Sequence, residues 1–449
     1  HSPSLRHRHR HRRHRCRRHR CRCHRRHLPM KLSVRRRCAT CLLLYAQCSL
    51  AKTRVGIIGL PNVGKSTLFN ALAQKSLAQA ENFPFCTIEP NVAPIAVPDI
   101  HLARLGALAK SERTVPAMIE WVDVAGLVRG ASRGEGLGNR FLAAARECDA
   151  LCHVVRTFED TDIIHVDGRI DPGEDAEVVN LELVLADLAH AERRLEKTTC
   201  RGEEQAALEA VVASLHAGQP ARAAGLSAAA QLAVKSMGLL TLKPVIYAFN
   251  VDEVDLALNG RASHDEAGRL FSGIKYHEPA TDMFMLVSAR LEAHVAQLEG
   301  RQAQLAYLAE IGMEPPEPSV RTMGPADGHG PLSVGPLTGL DDTLSHRVLP
   351  TLARQLLGLE LGYTGPGVPS ERSRTTRAHL YPRGGLTAGG LAGRIHGDIQ
   401  RGFLHAEVVP SATLLGHASF SAAKEAGCVR NEGRQYIISE GDVVHVKWK

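Results

Sequence analysis

The sequence lacks long apolar runs, a cysteine framework and, over its first 80 residues, any acidic side chain. The apolar run at 42–45 is far too short to cross a bilayer, so we expect a soluble protein with no membrane partner. Six of the 11 cysteines precede residue 54, and the other five follow no framework spacing. This distribution is typical of a reducing compartment and argues against a disulfide-stapled secreted protein.

The formal net charge of +8 comes from the amino-terminal end of the chain. Residues 1–53 hold 17 of the 55 lysines and arginines and no acid. The remaining 396 residues carry 38 bases and 47 acids, a net charge of −9. The basic balance therefore does not by itself indicate a nucleic-acid-binding protein.

Residues 1–53 are predicted to be a disordered basic leader, because their histidine- and arginine-rich repeats cannot build a core. Their cysteines and histidines lack the spacing of a metal site. Two interpretations stay open: an organelle transit peptide, or a gene-model artefact upstream of Met30. We expect a cytoplasmic protein, with a plastid or mitochondrion as the alternative if the leader is a transit peptide.

Short apolar runs alternate with helical patterns from Arg54 onward, and 449 residues allow two or three domains. Buried strands are predicted at Val55–Ile58, Met118–Val122, Leu151–Val155, Val245–Phe249 and Met283–Val287. Strands that alternate with helices favour an α/β fold with a doubly wound, mainly parallel sheet. We assign residues 54–358 to this domain.

An interval rich in alanine, leucine and glutamate, about 175–236, is too long for a simple crossover. Leu181, Val184, Leu188 and Leu195 are predicted to share one helical face. The interval is interpreted as an inserted helical hairpin or short coiled coil, with ordinary helices packed on the sheet as the alternative.

The end of the chain changes in composition. Residues 314–339 are rich in proline and glycine and predict a flexible insertion, and 341–357 predict a helix. Residues 359–449 carry short alternating segments at 435–438 and 443–448, which predict a small β-rich domain.

The strongest motif is a P-loop, Gly59-Leu-Pro-Asn-Val-Gly-Lys65-Ser66, between a strand and a helical pattern. Its glycines let backbone amides surround phosphates, Lys65 supplies a catalytic positive charge, and the Ser66 hydroxyl can bind Mg²⁺. Phosphate binding is therefore predicted for Asn62, Val63, Gly64, Lys65, Ser66 and Thr67.

A second motif, Asp123-Val-Ala-Gly126, follows the strand MIEWV. Asp123 can hold Mg²⁺ through water, and the Gly126 amide can meet the γ-phosphate. Thr87 lies between the two motifs, where a threonine can complete the magnesium shell; this assignment and a purely structural threonine both stay open.

The base-reading segment is Asn250-Val251-Asp-Glu253, after the strand VIYAF. Guanine-specific proteins use Asn-Lys-x-Asp there, with the aspartate accepting two hydrogen bonds from guanine. Here the lysine is Val251 and the acid is the longer Glu253, which favours ATP over GTP. Ser288, at the start of Ser-Ala-Arg, is predicted to lie in the loop that closes over the base.

Together these motifs resemble the Obg-like ATPase family, YchF type. The resemblance extends over about 54–313 and 340–447 and includes ENFPFCTIEPN, VDVAGLVRGASRGEGLGNRFL, IHGDIQRGF and EGDVV. It implies a nucleotide-binding domain, an inserted helical domain and a C-terminal TGS domain. It also implies ATP hydrolysis with Mg²⁺ and binding to the ribosome, ribosomal RNA or translation factors, by a monomer.

The resemblance carries over to particular residues. Leu127 replaces the glutamine that orients water in Ras-like enzymes, so catalysis must come from another group or from a partner. His165 matches a family histidine and is the candidate, with a structural role as its alternative. Asn62 matches an asparagine that coordinates K⁺ in some relatives. The segment Arg377-Ala-His379-Leu departs from the family's RAWT.

We therefore predict an ATP-hydrolysing switch protein, with adenine held by Asn250 and Val251 and Mg²⁺ held by Ser66, Thr87 and Asp123. Two alternatives remain. One is a GTPase of the Obg type; the other is a nucleotide-dependent scaffold on the ribosome with negligible intrinsic turnover.

Overall fold

The computed structural model describes ten segments of the chain: 52–80, 91–124, 137–158, 171–197, 199–258, 260–278, 281–299, 301–311, 344–365 and 375–449. The predicted leader, apart from its last two residues, and the predicted insertion at 314–339 lie outside these segments. None of the helices in the ten segments is long and apolar enough to cross a membrane.

The described residues form twelve strands: β1 (Arg54–Ile58), β2 (Val92–Ala96), β3 (Arg113–Val115), β4 (Met118–Asp123), β5 (Ala150–Arg156), β6 (Val245–Asn250), β7 (Met283–Val287), β8 (Leu359–Thr364), β9 (Thr375–Pro382), β10 (Phe403–Pro410), β11 (Arg430–Glu432) and β12 (Asp442–Trp448). Fifteen α-helices accompany them in the same segments: α1 (Lys65–Ala80), α2 (Leu102–Leu108), α3 (Leu137–Arg146), α4 (Pro172–Leu195), α5 (Glu203–His216), α6 (Ala228–Val234), α7 (Glu253–Leu258), α8 (Gly260–Gly273), α9 (Ala289–Gln297), α10 (Arg301–Glu310), α11 (Leu344–Leu356), α12 (Ala388–Ile395), α13 (Gly397–Arg401), α14 (Ser411–Leu414) and α15 (Phe420–Glu425).

The first sheet has the strand order β2-β4-β1-β5-β6-β7. Its neighbours pair in parallel, apart from the antiparallel pair of β2 and β4. Strands β5 and β6 are buried at every residue, as strands covered by helices on both faces must be. The predicted doubly wound, mainly parallel sheet is confirmed. Strand β2 was not predicted; it lies at the edge, where its Pro94 is tolerated.

Helices α4, α5 and α6 occupy the predicted helical interval. The first half of α4 packs on the sheet through Val179 and Leu183, whereas its second half joins α5 and α6 in a separate core that includes Val184 and Leu208. Both interpretations of this interval therefore describe part of it. The predicted helical face was wrong at Leu181, which is 40% exposed, because the buried stripe of α4 runs through positions 179, 183 and 184 instead.

The second sheet has the order β11-β10-β12-β8-β9-β3. Most of it comes from the carboxyl-terminal end, as predicted, but its edge strand β3 precedes the first sheet's β4 in sequence. The predicted segment 443–448 lies within β12, whereas 435–438 forms only a single bridge between Ile437 and Thr387. Turns at 434–435 and 440–441 bound this segment on both sides.

Polar contacts join the segment 99–115 to the second sheet. The Tyr363 hydroxyl donates to Asp99 Oδ1 at 3.0 Å, and the hydroxyls of Ser111 and Thr376 lie 2.7 Å apart. Strand β3 pairs in parallel with β9, residue 113 beside residue 375. The domain boundary at 358/359 stays a prediction, but the sheet that follows it is completed by residues from before it.

Candidate functional site

The phosphate loop connects β1 to α1 and depends on two glycines. Gly59 has a φ of +146°, and a Cβ there would lie 2.4 Å from the Val154 carbonyl oxygen. Gly64 has a φ of +98°, and a Cβ there would lie 2.4 Å from Asn250 Nδ2. Side chains at either position would combine backbone strain with a clash, so the loop can turn this tightly only with glycine.

Lys65 begins α1 and is 6% exposed. Its ammonium donates to the Leu60 carbonyl oxygen at 2.5 Å, which holds the side chain across the loop. Burial lowers the pKa of Lys65 to about 8, and the negative charge of Asp123 acts in the opposite direction. The loop therefore presents a buried cation that still carries its charge at neutral pH.

Asp123 ends β4, on the side of the loop where Lys65 lies. Its Oδ1 atom is buried and has no hydrogen-bond partner among the described residues. An orphaned carboxylate oxygen beside a phosphate loop is suited to a metal-bound water, and the exposed Ser66 hydroxyl at the start of α1 offers a direct oxygen ligand. These two residues fit a magnesium ion.

A cavity of about 710 Å³ opens beside the phosphate loop. It is lined by Asn62, Gly64, Thr67, Phe158, Asn250, Val251, Asp252, Ala289, Arg290, Ala293, His294 and Gln297. The phosphate loop and the predicted base-reading segment thus meet at one cavity, at the carboxyl ends of the parallel strands. This is where doubly wound folds bind nucleotides.

The side chain of Asn250 joins two walls of the cavity by hydrogen bonds. Its Nδ2 donates to the Val63 carbonyl oxygen at 2.9 Å, and its Oδ1 accepts from the Ala289 amide at 2.9 Å. The next residue, Val251, is held by a bond from its amide to the Val287 carbonyl oxygen at 2.9 Å. The asparagine therefore fixes the base-reading segment against the phosphate loop and against the start of α9.

Two residues that were predicted to lie at the base, Ser288 and Glu253, do not line the cavity. Ser288 is 1% exposed and caps α9, its Oγ accepting from the Leu291 amide at 3.4 Å. Glu253 faces helix α10, where its Oε2 accepts from the Tyr307 hydroxyl at 3.1 Å. Ser288 caps the helix that supplies several cavity-lining positions, and Glu253 lies 3.9 Å from one of them, Arg290.

The sequence analysis missed cavity-lining residues on two elements. Phe158 follows the carboxyl end of β5 and packs under the Arg156 guanidinium, 4.6 Å from its ring centroid. Positions 290, 293, 294 and 297 share one face of α9. The available signals were the strand end before Phe158 and the helical spacing after Ser288.

A neutral histidine lies beneath the phosphate loop. His153 in β5 is 1% exposed, and its ring packs 5.3 Å from that of Tyr247. Burial, with a further contribution from the Lys65 charge, lowers the pKa of His153 to about 3. It therefore adds no charge to the site at neutral pH.

Four residues of the predicted mechanism, Thr87, Gly126, Leu127 and His165, lie outside the described residues. The structure brings the rest to one edge of the sheet: the loop 62–67, Asp123, and the pair Asn250 and Val251.

Two family models match the chain. Residues 54–186 match the model described as "50S ribosome-binding GTPase", and residues 373–449 match the one described as "Protein of unknown function (DUF933)".

Proteins of known family resemble this chain over nearly their whole length. "Ribosome-binding ATPase YchF" of Bacillus subtilis (strain 168) is 37% identical over 401 residues, which covers 88% of this chain and 98% of that protein. "Obg-like ATPase 1" of Oryza sativa subsp. japonica is 34% identical over 404 residues, covering 88% and 92%. The solved structure of the Schizosaccharomyces pombe YchF GTPase superposes with a TM-score of 0.69 at 30% identity, covering 88% and 98%.

Proposed function

This chain belongs to the YchF group of the Obg-like ATPase family, and on that premise we propose that it is a magnesium-dependent ATPase that associates with the ribosome. One observation carries the choice of ATP. The carboxylate at the guanine-reading position, Glu253, is engaged by Tyr307 and does not line the base cavity. Guanine would find no paired acceptor there for its two N–H donors, whereas adenine needs none.

The phosphate chemistry rests on charge and position. Lys65 leaves the Leu60 carbonyl to contact the β- and γ-phosphates, and the loop amides of residues 62–67 bind their oxygens. Ser66 and Asp123 would hold Mg²⁺, directly and through water, with Thr87 as a third ligand. When bound, the ion neutralises charge that develops on the phosphates. Asn62, which lines the cavity, is the proposed contact for K⁺.

Water activation is assigned to His165, because Leu127 has no group that can orient water. His165→Ala is expected to lower turnover by about two to four decades and leave ATP affinity nearly unchanged. Leu127→Gln serves as the matched control and should retain turnover. Equal losses of affinity and turnover in His165→Ala would assign the histidine a structural role instead.

Nucleotide choice is tested by isothermal titration of the full chain with ATP and with GTP, both with Mg²⁺. We expect GTP to bind about a hundredfold more weakly, the effect of leaving paired polar groups unsatisfied. Equal affinities would instead support the Obg-type GTPase, in agreement with the name of the family model for residues 54–186.

The ribosome enters as a partner because relatives at 37% identity bear that function in their names. Because Leu127 cannot orient water, a second candidate function stays open: a nucleotide-dependent scaffold with negligible hydrolysis. Single-turnover hydrolysis with and without ribosomes separates the two, since a scaffold stays slow in both. Work on ribosomes would place the protein in the cytoplasm, or in a plastid or mitochondrion if the basic leader is a transit peptide.

A further inference from the structure

Three side chains from three helices meet at the wall of the base cavity. The Tyr307 hydroxyl of α10 lies 3.1 Å from Glu253 Oε2 of α7 and 2.9 Å from His294 Nδ1 of α9. Arg290 Nε lies 3.9 Å from the other oxygen of Glu253. Glu253 and Tyr307 stand behind the wall, whereas His294 and Arg290 line the cavity.

The single proton of Tyr307 determines the direction of these hydrogen bonds. A carboxylate can only accept, so the Tyr307 hydroxyl donates to Glu253. The hydroxyl oxygen then accepts from His294, which requires the imidazole proton to be on Nδ1. Burial, and after it the charge of Glu253, raise the pKa of Tyr307, which keeps the phenol protonated for this role.

A neutral imidazole with its proton on Nδ1 presents a lone pair at Nε2. Adenine and guanine differ in what they offer such an acceptor, since adenine carries a 6-amino donor where guanine carries a 6-oxo acceptor. An acceptor in the cavity wall therefore favours adenine and opposes guanine.

We propose that His294 is a specificity-determining residue that accepts a hydrogen bond from the 6-amino group of adenine, and that Glu253 and Tyr307 are positioning residues that fix its tautomer. The inference rests on the proposed ATPase function. Glu253 then affects base selection indirectly, through Tyr307 and His294, and does not contact the base itself.

The test compares the binding of three nucleotides that differ at the 6-position. ATP, purine riboside 5′-triphosphate (which lacks the amino group) and GTP are titrated with Mg²⁺ into the full chain. In the wild type, loss of the amino group should weaken binding about tenfold, the effect of one hydrogen bond in a cavity. In His294→Ala this ratio should fall to within about twofold, and the discrimination against GTP should fall with it.

Tyr307→Phe tests the positioning role, because it removes one hydroxyl and keeps the ring. The ratio of ATP affinity to purine riboside triphosphate affinity should decrease towards one, as in His294→Ala. Tyr276→Phe removes a hydroxyl from a tyrosine that packs against the separate core of α4, α5 and α6, and it should keep the wild-type ratio. A general loss of stability would weaken the binding of all three nucleotides equally and leave the affinity ratio unchanged.

Two results overturn the inference. The first is a wild-type ratio near one; the second is a tenfold ratio that survives in both His294→Ala and Tyr307→Phe. In either case tight ATP binding by the wild type would leave the proposed function standing. Failure of the wild type to bind ATP at all would overturn the proposed function and this inference together.

Discussion

Lys65 must keep a positive charge while almost completely removed from water. It is nearly buried and donates to the Leu60 carbonyl oxygen, and burial lowers its pKa to about 8. Among the described residues, the nearby carboxylate of Asp123 opposes that effect. The P-loop is the strongest motif of the sequence, but the lowered pKa of its lysine cannot be predicted from the sequence alone.

The first prediction concerns this titration. Because the neutral amine cannot attract phosphate, kcat/KM for ATP should fall about tenfold per pH unit above pH 8, as Lys65 of the free enzyme loses its proton. A pH series of initial rates measures it, with Lys65→Ala as the inactive reference. A flat profile up to pH 9.5 would show that Lys65 keeps its proton in spite of its burial.

The second prediction concerns two buried histidines, His153 in β5 of the first sheet and His379 in β9 of the second. Burial lowers the pKa of His153 and of His379 to about 3, so both stay neutral in the folded protein. The unfolded chain takes up their protons near pH 6.5, so stability is complete above that pH and is lost as pH falls toward 3. Each should contribute a slope of about 1.4 kcal/mol per pH unit in that window.

Urea unfolding from pH 7.5 to 4.5 measures the slope. His153→Asn and His379→Gln should each reduce it by one histidine's share. Thr364→Val is the matched control: it removes the hydroxyl 2.8 Å from His379 Nε2 but leaves the imidazole in place, so the slope should persist. If neither histidine variant changes the slope, other groups bind the protons.

The strands and helices differ in how well the sequence predicts them. Strands β1, β4, β5, β6 and β7 were predicted because each is a mostly apolar run, the pattern of a strand buried on both faces. Strand β3 has three residues, Arg-Thr-Val, and gains its order only by pairing with β9, 262 positions away. No local pattern predicts such a strand.

The same division applies to the candidate site. The phosphate loop is a local sequence with a local conformation, so its residues were predicted directly. The group of Glu253, Tyr307 and His294 is brought together by the packing of three helices, and the spacing of these residues carries no signature. Glu253 was recognised as part of the motif, but the direction of its side chain depends on a tyrosine 54 residues away.

The third prediction concerns the contact between the segment 99–115 and the second sheet. Tyr363→Phe removes the hydroxyl that donates to Asp99 at 3.0 Å and should weaken the attachment of 99–115 by about 1 kcal/mol. Amide hydrogen exchange in that segment should accelerate roughly fivefold. Tyr381→Phe, which loses a bond to the Ser439 carbonyl within the second sheet, should leave exchange at 99–115 unchanged. Equal acceleration in both variants would mean that the contact adds nothing of its own.

At the scale of the molecule, the second sheet is not a detachable unit. Its Tyr363, Val409 and Val443 belong to the same hydrophobic core as the first sheet, and β3 comes from before residue 116. Deletion of everything after 358 would expose that core, so the surface of the second sheet is better tested with charge substitutions. Its arginines differ: Arg377 is exposed, whereas the half-buried Arg394 donates to the Leu380 carbonyl oxygen.

The fourth prediction is that the second sheet contributes to ribosome binding. Arg377→Glu should weaken cosedimentation of the full chain with ribosomes in the presence of ATP and Mg²⁺. The dependence of binding on salt should also become shallower by about one unit, as expected for one lost phosphate contact. Arg193→Glu, at an exposed position on α4, is the matched control and should bind as the wild type does. The opposite pattern would identify the inserted helices as the contact.

The pairing of β3 with β9 also affects the order in which the strands can pair while the protein is being synthesised. At about 5–20 residues per second, residue 375 leaves the ribosome some 13–50 s after residue 113, so β3 has no partner for that time. The central strand β12, between β10 and β8, is made later still. The first sheet can be complete while the backbone hydrogen-bonding groups of β3 are still unpaired. That interval is when a nascent chain of this protein is most exposed to aggregation and most in need of a chaperone.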